Sequence, residues 1–153
     1  MVSCRAYKFS MESFISYGKL LARNASDFLF GEFGTTTFYG ELRRKDAAGQ
    51  VEAYSHFGVS ENRVVLLRMP GVLRQGFTKP LTADVLRFQQ LFPEYAKHEL
   101  VVVVAYEEYD DVNLLNEALG QGYFLATVSE SVFTSAVPPG FEGRDFNAVP
   151  GEE

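Results

Sequence analysis

The sequence predicts an α/β (α+β) fold with a central mixed sheet and flanking helices, and three observations carry this prediction. Residues 100–106 (Leu-Val-Val-Val-Val-Ala-Tyr) are apolar without alternation, which is typical of a strand buried on both faces. Residues 122–128 are again largely apolar and follow a short helical segment, which predicts a parallel strand reached by a crossover. Residues 35–69 contain three further strand-like segments separated by polar turns.

One domain is predicted for residues 1–153. The chain is 46% hydrophobic, which is enough to bury one core at this length. We expect residues 10–137 to form that core and residues 138–153, rich in Pro, Gly and acid, to form a surface strap and tail. The strap is expected to be anchored by Phe141 and Phe146.

The first elements are a helix and a three-stranded antiparallel unit. Ser10 is the expected cap of a helix that continues to Arg23, and residues 24–34 are expected to break it. Residues 35–44 and 51–57 are predicted to form a hairpin. Residues 63–69 are predicted to form the third strand, which Pro70 and Gly71 end.

The second half alternates helices and strands. Thr82 is the expected cap of a helix with Asp84 in its first turn and Pro93 at its end. After the strand at 100–106, Asp110 or Asp111 is expected to cap a short helix, and residues 132–137 are expected to pair back on the last crossover strand. The inward face of the short helix is predicted to consist of Val112, Leu115, Ala118 and Leu119.

Composition excludes several function classes. A net charge of -6 and a pI near 5.0 disfavour nucleic acid as a partner, because such a surface repels phosphate. The single Cys4 and two histidines exclude an internal disulfide and a Cys/His zinc site, which indicates a reducing, cytoplasmic compartment. We expect neither a signal peptide nor a membrane span, since no long apolar run is present.

The element order carries a resemblance to a known superfamily. Four local segments support it: residues 64–67 as the third strand, 88–95 at the end of the next helix, 121–125 opening the last crossover strand, and 139–142 in the tail. Over residues 41–146 the chain resembles the αβββαβ core of the PD-(D/E)XK, or restriction-endonuclease-like, superfamily. The similarity is to its small stand-alone nuclease-like domains.

The resemblance implies a nuclease site whose residues have been replaced. The family uses an acid in the second strand and an acid-X-Lys triplet in the third, which together hold Mg²⁺ and orient water. These positions fall on Ser55, Arg68 and Pro70 here. We therefore expect an inactive site without a cofactor. A relocated site on Glu41 and Glu52, using Mg²⁺ or Mn²⁺, is the alternative.

Other polar residues have simpler interpretations. His56 lacks a nearby nucleophile signature. A histidine in such a sequence is more often an ordinary strand residue than a general base. Residues 107–111 (Glu-Glu-Tyr-Asp-Asp) fit helix capping better than a ligand crevice, and residues 43–45 (Arg-Arg-Lys) fit a solvated turn better than a phosphate grip.

The sequence thus favours a catalytically inactive nuclease-like domain that acts as a protein-interaction or structural subunit. A protein partner or a homo-oligomer is expected, and the alternative is a divergent metal-dependent nuclease or nucleic-acid binder. A small-ligand binder that uses the crevice at residues 107–111 is a third, weaker option. The candidate contact residues are aromatic: Phe28, Phe30, Phe33, Tyr39 and Tyr109.

Overall fold

The computed structural model describes residues 11–148, with side chains from residue 18 onward. Within residues 11–148, no helix combines the length and hydropathy that a membrane span requires. The predicted α/β fold class is confirmed. In chain order the elements are α1 (Met11–Phe33), β1 (Thr37–Lys45), β2 (Val51–Val59), β3 (Arg63–Leu73), α2 (Thr78–Leu91), a short 3-10 helix (Pro93–Tyr95), β4 (Glu99–Tyr109), α3 (Val112–Gly120), β5 (Phe124–Ser129) and β6 (Val132–Ser135).

The six strands form one mixed sheet in the order of the sequence. β1, β2 and β3 are antiparallel neighbours, β3, β4 and β5 are parallel, and β6 turns back antiparallel to β5. α2 and α3 are the two crossovers that parallel neighbours require. The predicted hairpin, third strand, crossover and return strand are therefore confirmed, and β6 is shorter than expected.

The core has two layers because β4 is covered on both sides. Leu100 and Val102 pack on one face with α2 and α3, whereas Val101 and Val103 pack on the other with α1. All four side chains are buried. The segment lacks polar alternation because the strand is buried on both faces, as predicted. Burial of each such side chain contributes roughly 1.5–3 kcal/mol to the free energy of unfolding.

The first helix is longer than predicted. α1 continues through residues 24–33 and ends where Gly34 takes a φ of 72°, with its N–H donating to the Phe30 carbonyl. The prediction of a break failed because Ala25 and Leu29, one turn apart, are fully buried against the sheet. The predicted cap, Ser10, lies outside the described residues.

β3 and β4 extend three or more residues past their predicted ends. β3 continues through Pro70 and Gly71 to Leu73, because register shifts around these residues leave proline out of the ladder and Gly71 takes a φ of 81°. β4 continues through residues 107–109, and its Glu108 and Tyr109 pair with Val72 and Leu73 at the extended end of β3. Only Asp110 and Asp111 of the predicted acidic turn lie beyond the strand.

The start of α2 and the inward face of α3 also differ from prediction. α2 begins at Thr78, and Thr82 lies inside it with its hydroxyl donating to the Thr78 carbonyl. The apolar face of α2 favours this earlier start, since Leu81 is also buried. In α3, Leu114 is buried while Val112, predicted to face inward, is 57% exposed.

A C-terminal strap, residues 141–148, crosses the end of the sheet. Phe141 packs beside Phe124 on one face, and Phe146 packs 5.1 Å from the Tyr123 ring on the other. The Asp145 carboxylate accepts the Leu100 N–H at 2.9 Å. The strap therefore caps the start of β4. Residues 149–153 lie outside the described residues.

Replacing Gly122 by alanine is expected to displace the strap and lower the free energy of unfolding by about 2 kcal/mol. Gly122 has a φ of 89°, and an added Cβ would lie 2.2 Å from the Arg144 Cβ. Urea unfolding measures the loss, and faster tryptic cleavage at Arg144 reports the detached strap. Gly120→Ala is the matched control because nothing lies within 4 Å of its added Cβ. Equal stability of the two variants would contradict this account of the strap.

Candidate functional site

The candidate site lies where β2 separates from β3. The ladder between these strands covers only three residue pairs, from Phe57–Leu66 to Val59–Val64. Towards its beginning β2 stays paired with β1 and departs from β3. His56 marks the separation with a φ of 59°, a conformation that non-glycine residues rarely adopt. The sheet is therefore open beside the residues predicted to replace the family's catalytic groups.

The guanidinium of Arg68 fills this opening. Its Nη1 donates to the Asp84 Oδ2 at 3.0 Å, and its Nη2 donates to the carbonyls of His56, at 3.1 Å, and Ser55. The Arg68 side chain is only 15% exposed. Because a guanidinium carries a fixed charge, three acceptor oxygens from two segments, β2 and α2, converge on a permanent internal cation.

Tyr54 forms the floor beneath this cation. Its ring centroid lies 4.6 Å from the Arg68 Cζ, and its hydroxyl donates to the Asp84 Oδ2 at 2.8 Å. Burial raises the pKa of Tyr54, and the Asp84 charge adds to the shift while Arg68 opposes it. Tyr54 therefore stays protonated and acts as a donor, which leaves Asp84 as the acceptor for both neighbours.

A second ion pair encloses the site from the side of α2. Arg87 donates to the Glu52 carboxylate at 2.9 Å and to the Ala53 carbonyl at 3.2 Å. Its guanidinium lies 5.1 Å from the Tyr54 ring and 3.8 Å from Asp84. Two arginines thus face two carboxylates, and the formal charges of this cluster cancel.

Ser55 and Pro70, which the resemblance pairs with Arg68, both lie close to Arg68 in the structure. The Ser55 carbonyl accepts from Arg68, and Pro70 lies two residues beyond Arg68 at the bulge of β3. In residues 11–148, no group of three or more His, Cys, Asp or Glu side chains is arranged to hold a metal ion. Arginine and proline offer no metal ligand in their side chains, so the chemistry of this donor set does not fit Mg²⁺.

The alternative metal pair, Glu41 and Glu52, is not brought together. Glu52 bonds to Arg87 on the face covered by α2. Glu41 lies one residue from Leu42, which packs on that same face, so Glu41 points to the opposite side, where it contacts Arg43 at 3.2 Å. A single ion cannot contact both carboxylates across the sheet.

His56 has a structural environment. Its ring lies 6.3 Å from that of Phe38, and its carbonyl accepts from Arg68. Burial lowers the pKa of His56, and the charge of Arg68 adds to this effect. The His56 side chain is therefore a neutral imidazole at the kink of β2.

The remaining charged segments are paired or capping. Asp111 accepts the Asn113 N–H at 2.8 Å and so caps α3, which confirms the capping prediction, while Asp110 lies 3.8 Å from Arg74. In the basic segment, Arg44 forms an ion pair with Glu94 and lies over the Phe92 ring. These contacts account for Asp110, Asp111 and Arg44 without a ligand, and Glu107, Glu108 and Lys45 are exposed.

The aromatic contact candidates differ in exposure. Phe33 packs edge-on to Phe124, and Phe28 packs against Phe133. Tyr39 packs on Phe57. Phe30 is 63% exposed and Tyr109 46% exposed, so these two present the most free surface. The role of all five in binding stays a prediction.

A largely apolar cleft of about 560 Å³ lies beside the Arg68–Asp84 pair. Met69 and Pro70 from the bulge of β3 form one wall, and Phe77 and Leu81 from the start of α2 form the other. Arg74, 71% exposed, stands at its edge. The cleft therefore opens from the same place at which the resemblance puts the catalytic centre.

Sequence reasoning missed Tyr54, Asp84 and Arg87 as members of this site. A usable signal was Arg68 itself, since an arginine directly after a buried apolar run requires an acidic partner. Asp84 on the following helix was the available carboxylate, but the predicted cap at Thr82 assigned it to the first turn of that helix.

Comparisons of this chain with protein-family models, with curated proteins and with solved structures give no match.

Arg68→Met is expected to lower the free energy of unfolding by about 3 kcal/mol, because Asp84 and two carbonyls lose their common donor. A urea-unfolding double-mutant cycle with Asp84→Asn should give a coupling energy of about 1–3 kcal/mol. Arg74→Met, at the exposed edge of the cleft, is the control and should change stability by no more than about 0.5 kcal/mol. A cycle with no coupling would disprove the central role of the Arg68–Asp84 pair.

The lowered pKa of His56 predicts a pH dependence of stability. Below the ordinary histidine pKa the unfolded chain binds a proton that the folded chain resists, so the free energy of unfolding should fall as pH drops below about 6.5. Above that pH the contribution is fully present. His56→Asn, which tolerates the left-handed conformation, should flatten this part of the curve in urea unfolding from pH 8 to 5. An unchanged slope in the variant would assign the effect elsewhere.

Proposed function

We propose that this chain is a catalytically inactive nuclease-like domain that acts as a protein-interaction or structural subunit. One observation carries the proposal: the Arg68 guanidinium occupies the opening between β2 and β3, where the PD-(D/E)XK resemblance would put the metal ion. The αβββαβ order with an appended αβ crossover supports the resemblance at the level of architecture.

The chemistry of the opening argues against metal-dependent cleavage. A divalent ion would have to share the Asp84 carboxylate with Arg68, whose Nη1 lies 3.0 Å from the Asp84 Oδ2, and Coulomb repulsion between the two cations opposes its binding. The remaining oxygens, from Ser55 and His56, already accept hydrogen bonds from Arg68. Replacement of the metal by an internal cation keeps the local strand geometry and removes the activated water that hydrolysis needs.

The partner in this proposal is protein. The net charge of -6 opposes binding to a phosphate backbone, and Arg68, Arg87 and Arg44 are already bonded to carboxylates. A reducing, cytoplasmic setting belongs to the same proposal and rests on the single cysteine.

Calorimetric titration with Mn²⁺ tests the proposal together with cleavage assays on plasmid and single-stranded DNA. We expect no saturable heat and no cleavage above the metal-only blank, with a metal-dependent nuclease as the assay control. Mn²⁺-dependent cleavage by the wild-type chain that disappears in Glu52→Ala would overturn the proposal in favour of a divergent nuclease.

Reintroducing the family's residues provides the matched gain-of-binding variant. Ser55→Asp, Arg68→Glu and Pro70→Lys in one chain remove the internal cation and restore two acids and a lysine. If the fold resembles a nuclease core, the triple variant, shown to be folded by circular dichroism, should bind Mn²⁺ more tightly than Arg68→Met does. Equal, negligible binding by both folded variants would contradict the assignment of these positions.

A further inference from the structure

Among residues 11–148, β1 is an edge strand of the sheet. It is the first strand of the order β1 to β6, and within the described part of the chain only β2 pairs with it. Nine residues long, it presents a row of backbone donors and acceptors that can template another strand.

The register of the hairpin determines which backbone groups point outward. The Asp46 N–H donates to the Gln50 carbonyl, so these two residues have the phase of a hydrogen-bonded pair in the ladder, although the Gln50 N–H donates to the Asp46 carboxylate. Such pairs alternate along an antiparallel ladder, so Arg44 and Leu42 bond towards β2. The N–H and C=O groups of Glu41, Arg43 and Lys45 therefore face away from β2.

We propose that β1 is the contact through which two copies of this chain form a symmetric dimer, by antiparallel pairing of their β1 strands about a two-fold axis at Leu42. In this register Glu41 lies opposite the partner's Arg43, and the symmetric pair repeats the contact. Both pairs use the outward backbone groups, so each exchanges two hydrogen bonds.

Charge selects this register over its neighbours. Centring the axis on Glu41 would put two glutamates face to face, and centring it on Arg43 would do the same with two arginines, both of which are destabilising. With the axis at Leu42, two opposite-charge pairs form. In the same register Lys45 lies opposite the partner's Tyr39, and Arg44 lies opposite the partner's Gly40. The Glu-Leu-Arg sequence is thus complementary to itself.

Little has to be broken for this association. Glu41 and Arg43 currently contact each other at 3.2 Å with side chains 51% and 70% exposed, and such surface pairs contribute little. The inferred dimer rests on the proposed protein-interaction function. It identifies the protein partner as a second copy of this chain. It leaves the Arg68 site unchanged, because that site lies between β2 and β3, so its test is separate from the Mn²⁺ test.

Sedimentation velocity over a concentration series up to the solubility limit tests the dimer. The wild type should dimerise, and Glu41→Arg or Arg43→Glu should each raise the dissociation constant by about tenfold, since both symmetric pairs become repulsive. The double reversal, with the charges exchanged within one strand, should restore dimerisation. An equimolar mixture of the two single variants should give a heterodimer, because their charges are then complementary.

Arg43→Pro separates pairing from folding. Its N–H faces outward, so proline there removes an intermolecular donor while the ladder to β2 keeps its bonds. We expect a monomer with wild-type circular dichroism. If this variant does not fold, the reversal pair and its mixture still decide the question. A wild type that stays monomeric, or a dimer that the reversals do not weaken, would overturn the inference. Mn²⁺ binding by any of these variants would bear only on the nuclease proposal.

Discussion

The structure around the candidate site depends on one part-buried cation. Arg68 directly follows the apolar residues 64–67 in the middle of β3 and is surrounded by oxygens from Asp84, Ser55 and His56, with the Tyr54 ring beneath it. Within residues 11–148, Arg68 supplies the side-chain hydrogen bonds that β3 makes to the separated part of β2. The opening in the sheet, the kink at His56 and the position of α2 all converge on this guanidinium.

A buried ion pair is weak evidence for stability, because desolvation of both charges offsets their attraction. Within residues 11–148 the Arg68 Nε even lacks an acceptor while buried, which adds a cost. The better interpretation is that the pair specifies geometry. The ion pair determines where β2 leaves β3. It also joins α2 to β2.

The sequence predicted the fold where burial alone decides it. The unbroken apolar run of β4 and the polar turn at residues 45–50 led to the correct sheet neighbours. Predictions at element ends failed where tertiary packing overrode local signals, as at Ala25 and Leu29 in α1 and at the bulge around Pro70. Propensity and turn residues carry no information about such distant partners.

The site was half predictable for the same reason. Ser55, Arg68 and Pro70 are readable along the chain only through the PD-(D/E)XK resemblance, and their match to that family's catalytic positions stays a prediction. The partners of Arg68 are not readable, because Asp84 reaches it through the packing of α2 on the sheet and Ser55 and His56 contribute backbone carbonyls rather than side chains. A sequence pattern does not show which backbone carbonyls accept hydrogen bonds from a distant side chain.

The strap that caps β4 has a consequence for how the chain assembles during synthesis. The Leu100 amide receives its acceptor from Asp145, 45 residues later. A nascent chain that has completed β4 therefore carries an incomplete strand end until the strap has left the ribosome. Such late long-range closure lowers the folding rate. During this interval the start of β4 is exposed. A chaperone or another nascent chain can then contact it.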